Sequence, residues 1–136
     1  MHDNQEALTP RTFVEVVDDN ADLRTLLVRS LQVMGYEARA HASAHEFLDS
    51  TPINGPCVMV VDVRMPGMSG LDLHRHLRAQ GNDVPVILIS GDSDLTDAGE
   101  MLSCQRVRFM WKPFSNRQLR ESLSWAEQLI AQAPAP

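Results

Sequence analysis

Cys57-Val58-Met59-Val60-Val61-Asp62 is five apolar residues ending on a carboxylate. A short apolar run without polar alternation predicts a strand buried on both faces, as in a parallel sheet. Pro85–Ile89 repeats the pattern and is followed by Ser90-Gly91. Working outward, Thr12–Val17 reads as an earlier strand and Val107–Trp111 as a later one. Glu37–His41 is a weaker strand, placed mainly by its position.

Helical spacing fills the intervals. Leu23, Leu26, Leu27, Ser30, Leu31 and Met34 share one face, and Gly35 is a natural stop. Ser43 with Glu46 resembles a capping box opening a short helix that ends before Pro52. A loop with Pro66, Gly67 and Gly70 leads into a helix carrying Leu71, Leu73 and Leu77, stopped at Gly81. Asp94–Ser103 reads as a poorly patterned helix. Ser115 with Gln118 caps a last one through Leu119, Leu123, Ala126 and Leu129 or Ile130. Five βα units with short connections imply one α/β domain, a parallel sheet with helices on both faces. The domain is expected over residues 12–130. A frayed polar segment at 1–11 and an Ala/Pro tail or linker start at 131–136 flank it.

In such sheets ligands bind beyond the carboxyl ends of the strands. The first strand ends in Asp18-Asp19, the third in Asp62, the fourth in Ser90 and the fifth in Lys112. Three carboxylates, a hydroxyl and an ammonium are therefore expected on one rim. Clustered carboxylates repel, so the rim must keep protons or hold a cation. An all-oxygen donor set with few protein ligands suits Mg²⁺, which retains waters and bridges to phosphate. Lysine adds a point charge suited to a phosphoryl oxygen. Phosphoryl transfer, which depends mostly on positioning and charge neutralisation, is the chemistry these groups share. Each piece alone has a plainer reading: a helix-capping loop at Asp18-Asp19, a turn at Ser90-Gly91, a surface lysine before Pro113. Their falling together at one rim, in order, favours the phosphoryl-transfer reading over these plainer ones.

The 136 residues suit one domain, 43% of them hydrophobic and 22% charged. A net charge of −6 with scattered basic residues argues against direct nucleic-acid binding. No apolar run is long enough to cross a bilayer and no basic-then-apolar leader opens the sequence, so no membrane association and a cytoplasmic location are expected. Cys57 and Cys104 sit in no metal or redox spacing. His74 and His76, two apart on a helix, do not face one another.

Val16-Val17-Asp18-Asp19-Asn20, Val61-Asp62-Val63-Arg64-Met65-Pro66-Gly67-Met68-Ser69-Gly70, Ile89-Ser90-Gly91 and Trp111-Lys112-Pro113-Phe114 resemble the signature blocks of response-regulator receiver domains. The wording is nearest to receivers of the nitrogen-fixation and nitrate type. The resemblance spans roughly residues 12–130 and implies a flavodoxin-like (βα)5 domain with strand order 2-1-3-4-5. It implies that Asp62 accepts a phosphoryl group from a sensor histidine kinase or a histidine phosphotransfer protein. Asp19, Asp62 and the Arg64 carbonyl would bind Mg²⁺ directly, and Asp18 largely through water. Ser90 and Lys112 would contact the phosphoryl oxygens, and Phe109 would be an aromatic switch. Pro113 would follow a cis peptide. The domain would then signal to a protein partner, as a monomer or weak homodimer.

The sequence also departs from the family. Gln105-Arg106 stands where a small Gly-Ala pair is usual. Asp92, Asp94, Asp97 and Glu100 crowd the preceding helix, and Trp111 is bulky for its place. Asp92 and Arg64 occupy positions that tune phosphoryl lifetime in the family. Two other readings compete. An Mg²⁺-dependent phosphohydrolase using an aspartyl phosphate would need an acid two residues after its nucleophile, where Arg64 stands, and a cap. A phosphorylation-independent pseudo-receiver would be expected to lack an acid or the lysine, and none is missing.

Overall fold

The computed structural model describes residues 12–91 and 106–132. Its strands are β1 (Phe13–Val17), β2 (Glu37–His41), β3 (Cys57–Asp62), β4 (Val86–Ser90) and β5 (Val107–Trp111). They form one parallel sheet in the order β2-β1-β3-β4-β5. The described helices are α1 (Ala21–Val33), α2 (Ala44–Asp49), α3 (Gly70–Ala79) and α4 (Asn116–Gln132). This is the doubly wound, flavodoxin-like architecture. The expected helix over Asp94–Ser103, with Cys104 and Gln105, lies outside the described residues.

Strand periodicity sorts the core into two layers. Val14, Val16, Val58, Val60, Ile87, Ile89 and Met110 face Leu27 and Leu31 of α1 and Leu119, Leu123 and Ala126 of α4. Val17, Met59, Val61, Val86 and Leu88 face Ala44 of α2 and Leu71, Leu73 and Leu77 of α3. β3 and β4 are central and buried throughout but for Cys57, which accounts for their unbroken apolar sequence.

Side chains fix where helices start. Asn20 rather than Asp18 or Asp19 caps α1, accepting from the Leu23 amide at 3.1 Å. That leaves both carboxylates free of capping duty. At α2, Ser43 accepts from the Glu46 amide, but the Glu46 carboxylate accepts from Ala42 rather than from the cap residue itself. Ser69 with Asp72 and Ser115 with Gln118 are reciprocal boxes. α4 runs to Gln132, two residues into the expected tail.

One polar residue interrupts β1. Glu15, 2% exposed, accepts from Arg39 Nε and Nη2 at 2.8 Å each, and lies 2.8 Å from His41 Nε2. Its registry neighbour is Arg39 itself. A buried carboxylate needs such pairing to be tolerated at all.

Candidate functional site

The carboxyl ends of β1 and β3 are adjacent in the sheet, so Asp18-Asp19 and Asp62 meet without any long connection. One carboxylate oxygen from each lies within 4.8 Å of the others. Asp18 is fully buried, Asp62 is 4% exposed and Asp19 is exposed, which gives the cluster a floor and an open side. Both structural extensions matter here: β3 includes Asp62 and β4 includes Ser90, one residue beyond the expected strand ends. Ladder hydrogen bonds thus hold the site groups directly, with Val63 N donating to Ile89 O at 2.9 Å and Lys112 N to Ser90 O at 2.9 Å.

Lys112 Nζ stands 3.3 Å from Asp62 Oδ2, and the Arg64 amide donates to Asp62 Oδ1 at 3.2 Å. The Lys112–Pro113 peptide is cis. Ser90 is buried at the same end of the sheet, and its hydroxyl donates to the Gly91 carbonyl at 3.0 Å. Phe109 lies two residues back from Trp111 on the same face of β5. The two rings stack with centroids 5.9 Å apart and planes 12° from parallel. Asp18, Asp19, Asp62 and Lys112 therefore form one cluster, with Ser90 at the next strand end and Phe109 farther down β5. Asp92 lies outside the described residues.

Charge balance at this rim is incomplete. At an effective dielectric near 20, two carboxylates ~4 Å apart repel by about 4 kcal/mol, and a single lysine does not offset three acids. Asp18 carries the consequence. Burial first, then the charges of Asp62 and Asp19, push its carboxyl up to about 6 despite the Asn20 amide and Lys112. The Asn20 amide donates to Asp18 Oδ1 at 2.8 Å, while Oδ2 is buried without a hydrogen-bond partner. An orphaned oxygen beside two more carboxylates is the donor set a hard divalent cation requires, so the residues present fit Mg²⁺.

Two positioning residues were not legible as such. Gly70 opens α3 so close to β3 that a Cβ there would overlap the Asp62 carbonyl, so only glycine lets the helix start against the acceptor strand. Arg24 Nη1 donates to the Asp18 carbonyl at 2.8 Å, tying α1 to the acidic loop. An Arg six residues after Asp18 carries no sequence signal of its own.

The model of the response regulator receiver domain matches residues 14–124. The chain belongs to this family. Among its relatives, the receiver is 34% identical over 122 residues to the transcriptional regulatory protein FixJ of Rhizobium meliloti (strain 1021), which covers 90% of this chain and 60% of that one. It is 38% identical over 123 residues to the response regulator protein TodT of Pseudomonas putida, covering 86% of this chain and 53% of the relative. With the C4-dicarboxylate transport transcriptional regulatory protein DctD of Rhizobium meliloti the identity is 34%, over 85% of this chain and 25% of the relative. The chain thus spans between a quarter and three fifths of the length of these relatives. The crystal structure of FixJ-N superposes with a TM-score of 0.80 at 32% identity, covering 95% of this chain and all of that one. Receivers are phosphorylation-signalling domains rather than classical enzymes, and they generally bind Mg²⁺ at an acidic pocket. No described helix is long and apolar enough to cross a membrane.

Proposed function

We propose that residues 12–130 act as a phosphorylation switch in which Asp62 accepts a phosphoryl group from a sensor histidine kinase or a histidine phosphotransfer protein. The observation that carries this reading is the three-carboxylate cluster with an orphaned Asp18 oxygen and Lys112 against the Asp62 carboxylate. An Asp62 oxygen attacks the phosphorus of the donor phosphohistidine. An O–P bond forms as the N–P bond breaks, and the electron pair stays on the departing imidazole nitrogen. Asp19, Asp62 and the Arg64 carbonyl would hold Mg²⁺ directly and Asp18 through water. Bound there, the cation would supply positive charge to offset that of the phosphoryl oxygens.

Lys112 already neutralises Asp62 and is within reach of a phosphoryl oxygen placed on it. Ser90 must release its bond to the Gly91 carbonyl to donate to the same group, a local rearrangement that would draw the loop after β4 inward. Phe109, on the neighbouring strand, is the candidate reporter of that movement. The domain would act in the cytoplasm, as a monomer or weak homodimer, through a protein partner rather than through nucleic acid.

The test is intact mass after incubation with acetyl phosphate, with and without Mg²⁺, beside Asp62→Asn, together with Mg²⁺ binding followed by tryptophan fluorescence. A single Mg²⁺-dependent adduct absent from Asp62→Asn is expected. An adduct surviving in Asp62→Asn overturns the acceptor assignment. No adduct together with no Mg²⁺ binding would establish a phosphorylation-independent binding module instead.

A further inference from the structure

The opposite end of the sheet holds a cavity of about 470 Å³, at the N-terminal ends of β3 and β4 and just before β5. That volume lies within the range of roughly 300–1,000 Å³ typical of small-molecule sites. Its walls are of mixed character, slightly more apolar than polar, with the apolar part contributed by Phe47 and Leu48 of α2, Met59 of β3, Leu77 of α3 and Val84 before β4. Four charged residues also line it: Glu15, Arg39, Asp83 and Arg106.

These charges are unequally committed. Glu15 and Arg39 neutralise each other through two 2.8 Å contacts, and Arg39 Nη2 also donates to Ser50 Oγ and to the Thr51 carbonyl. Burial first, and the Glu15 charge second, push the Cys57 thiol up to about 12, so this lining residue stays neutral. Asp83 is exposed and its carboxylate makes no ion pair among the described residues; its carbonyl accepts from Arg106 Nε. Arg106 forms no ion pair among the described residues and spends only Nε on the protein. Arg78, which is not a lining residue, donates Nη2 to the Val84 and Arg106 carbonyls and so places a second positive charge next to the Arg106 main chain. Arg106 is also the residue that replaces the small side chain usual at this place in receivers. A part-apolar chamber lined by a guanidinium fork with two free nitrogens, with a second cation next to it and only the exposed Asp83 carboxylate opposing them, favours an anionic head group, since the fork matches a carboxylate bidentately.

We propose that this cavity binds a small organic monocarboxylate with an apolar body, the body seated on Phe47, Leu48 and Met59 and the carboxylate held by Arg106. The site is remote from Asp62, and its occupation requires no phosphoryl chemistry.

Octanoate is the probe, titrated into the full chain and followed by backbone-amide NMR, with octan-1-ol and octylammonium as matched controls. Saturable binding with a dissociation constant of about 1 mM or tighter is expected. The shifts should be centred on Phe47, Leu48, Val84 and Arg106. A charge-assisted hydrogen bond is worth ~1.5–3 kcal/mol, so octan-1-ol and the Arg106→Ala variant should each bind about tenfold or more weakly. Octylammonium should not bind. Equal affinity for octanoate and octan-1-ol on the unaltered protein overturns the carboxylate assignment without relying on any variant. Shifts centred away from this cavity, or no saturation, overturn the site itself.

Discussion

Glu15 and Asp18 are acids three residues apart in the chain, both buried, and the protein treats them in opposite ways. Glu15 lies on the face of β1 toward α2, where Arg39 meets both its oxygens and His41 meets one. Asp18 lies where the strand opens onto the carboxylate rim, with one oxygen held by the Asn20 amide and the other without a partner. A buried charge with a partner on each oxygen belongs to the scaffold. A buried charge left short of partners, among like charges, stores free energy that a ligand can release. The same strand thus fixes the sheet at its middle and prepares a binding site at its end.

The largest expected effect sets these two acids against each other. Glu15→Ala strips the partner from a half-buried Arg39, and breaking a buried pair costs about 3–5 kcal/mol. Asp18→Asn removes one of three clustered negative charges and should stabilise the metal-free protein by about 1–3 kcal/mol, while weakening stabilisation by Mg²⁺, which Asp18 would hold only through water. Urea denaturation of both variants, in EDTA and in excess Mg²⁺, reads both. If Asp18→Asn destabilises in EDTA, the rim is not under repulsion and the contrast fails.

A second orphan sharpens the comparison. His74 is 2% exposed and its Nδ1 lacks a hydrogen-bond partner. It resolves the same difficulty by staying uncharged: burial first, then the charges of Arg78 and Arg75, lower its pKa to about 4. The signs of the two linkages are opposite. With His74 depressed from 6.5, the unfolded chain binds protons more readily, so stability is lost as pH falls from about 6.5 through 4. With Asp18 raised from 3.8, the folded chain binds protons more readily, so stability is lost as pH rises from about 4 through 6. Each contributes about 2 kcal/mol after allowance for screening, and in metal-free buffer they nearly cancel. Between about pH 7 and pH 4.5, His74→Leu should gain ~2 kcal/mol relative to the unaltered protein, and Asp18→Asn should lose a similar amount. Parallel pH profiles for both variants would show that the two orphans are not titrating independently.

The contrast was only half visible in the sequence. The strand runs, the acids that end them, Ser90 and Lys112 were legible because central parallel strands are continuously apolar and a polar residue at their end stands out. Glu15 was not, because one acid in Phe13–Val17 looks like ordinary strand alternation. Only the register that sets it beside Arg39 reveals a buried pair. In the sequence Gly70 reads as part of a loop. Its real constraint is the approach of a helix N-terminus to the Asp62 carbonyl, a distance no local pattern encodes. Asp18 and Asp19 had a plausible alternative as caps until Asn20 was seen to fill that role.

The smallest expected effect tests how far the rim's influence extends along β5. Trp111 is bulky for its place in the sequence, and in the fold it remains 41% exposed while stacking on Phe109. Its main chain lies beside Ser90 in register, one residue before Lys112. The stack therefore lies on the more open face of β5, opposite buried Met110, on a strand whose other duty is to present the lysine. Aromatic pairs contribute about 0.5–1.5 kcal/mol beyond burial, and partial exposure puts Trp111→Ala near the lower half of that range. The indole sits outside both core layers, so acetyl-phosphate labelling of Asp62 should be unchanged in the variant. Near-ultraviolet circular dichroism should lose the coupled aromatic signal. A change in labelling with stability nearly intact would mean that the stack, by holding Phe109, sets the conformation of the strand end that carries Lys112. The boundary between scaffold and site would then run through β5 as it does through β1.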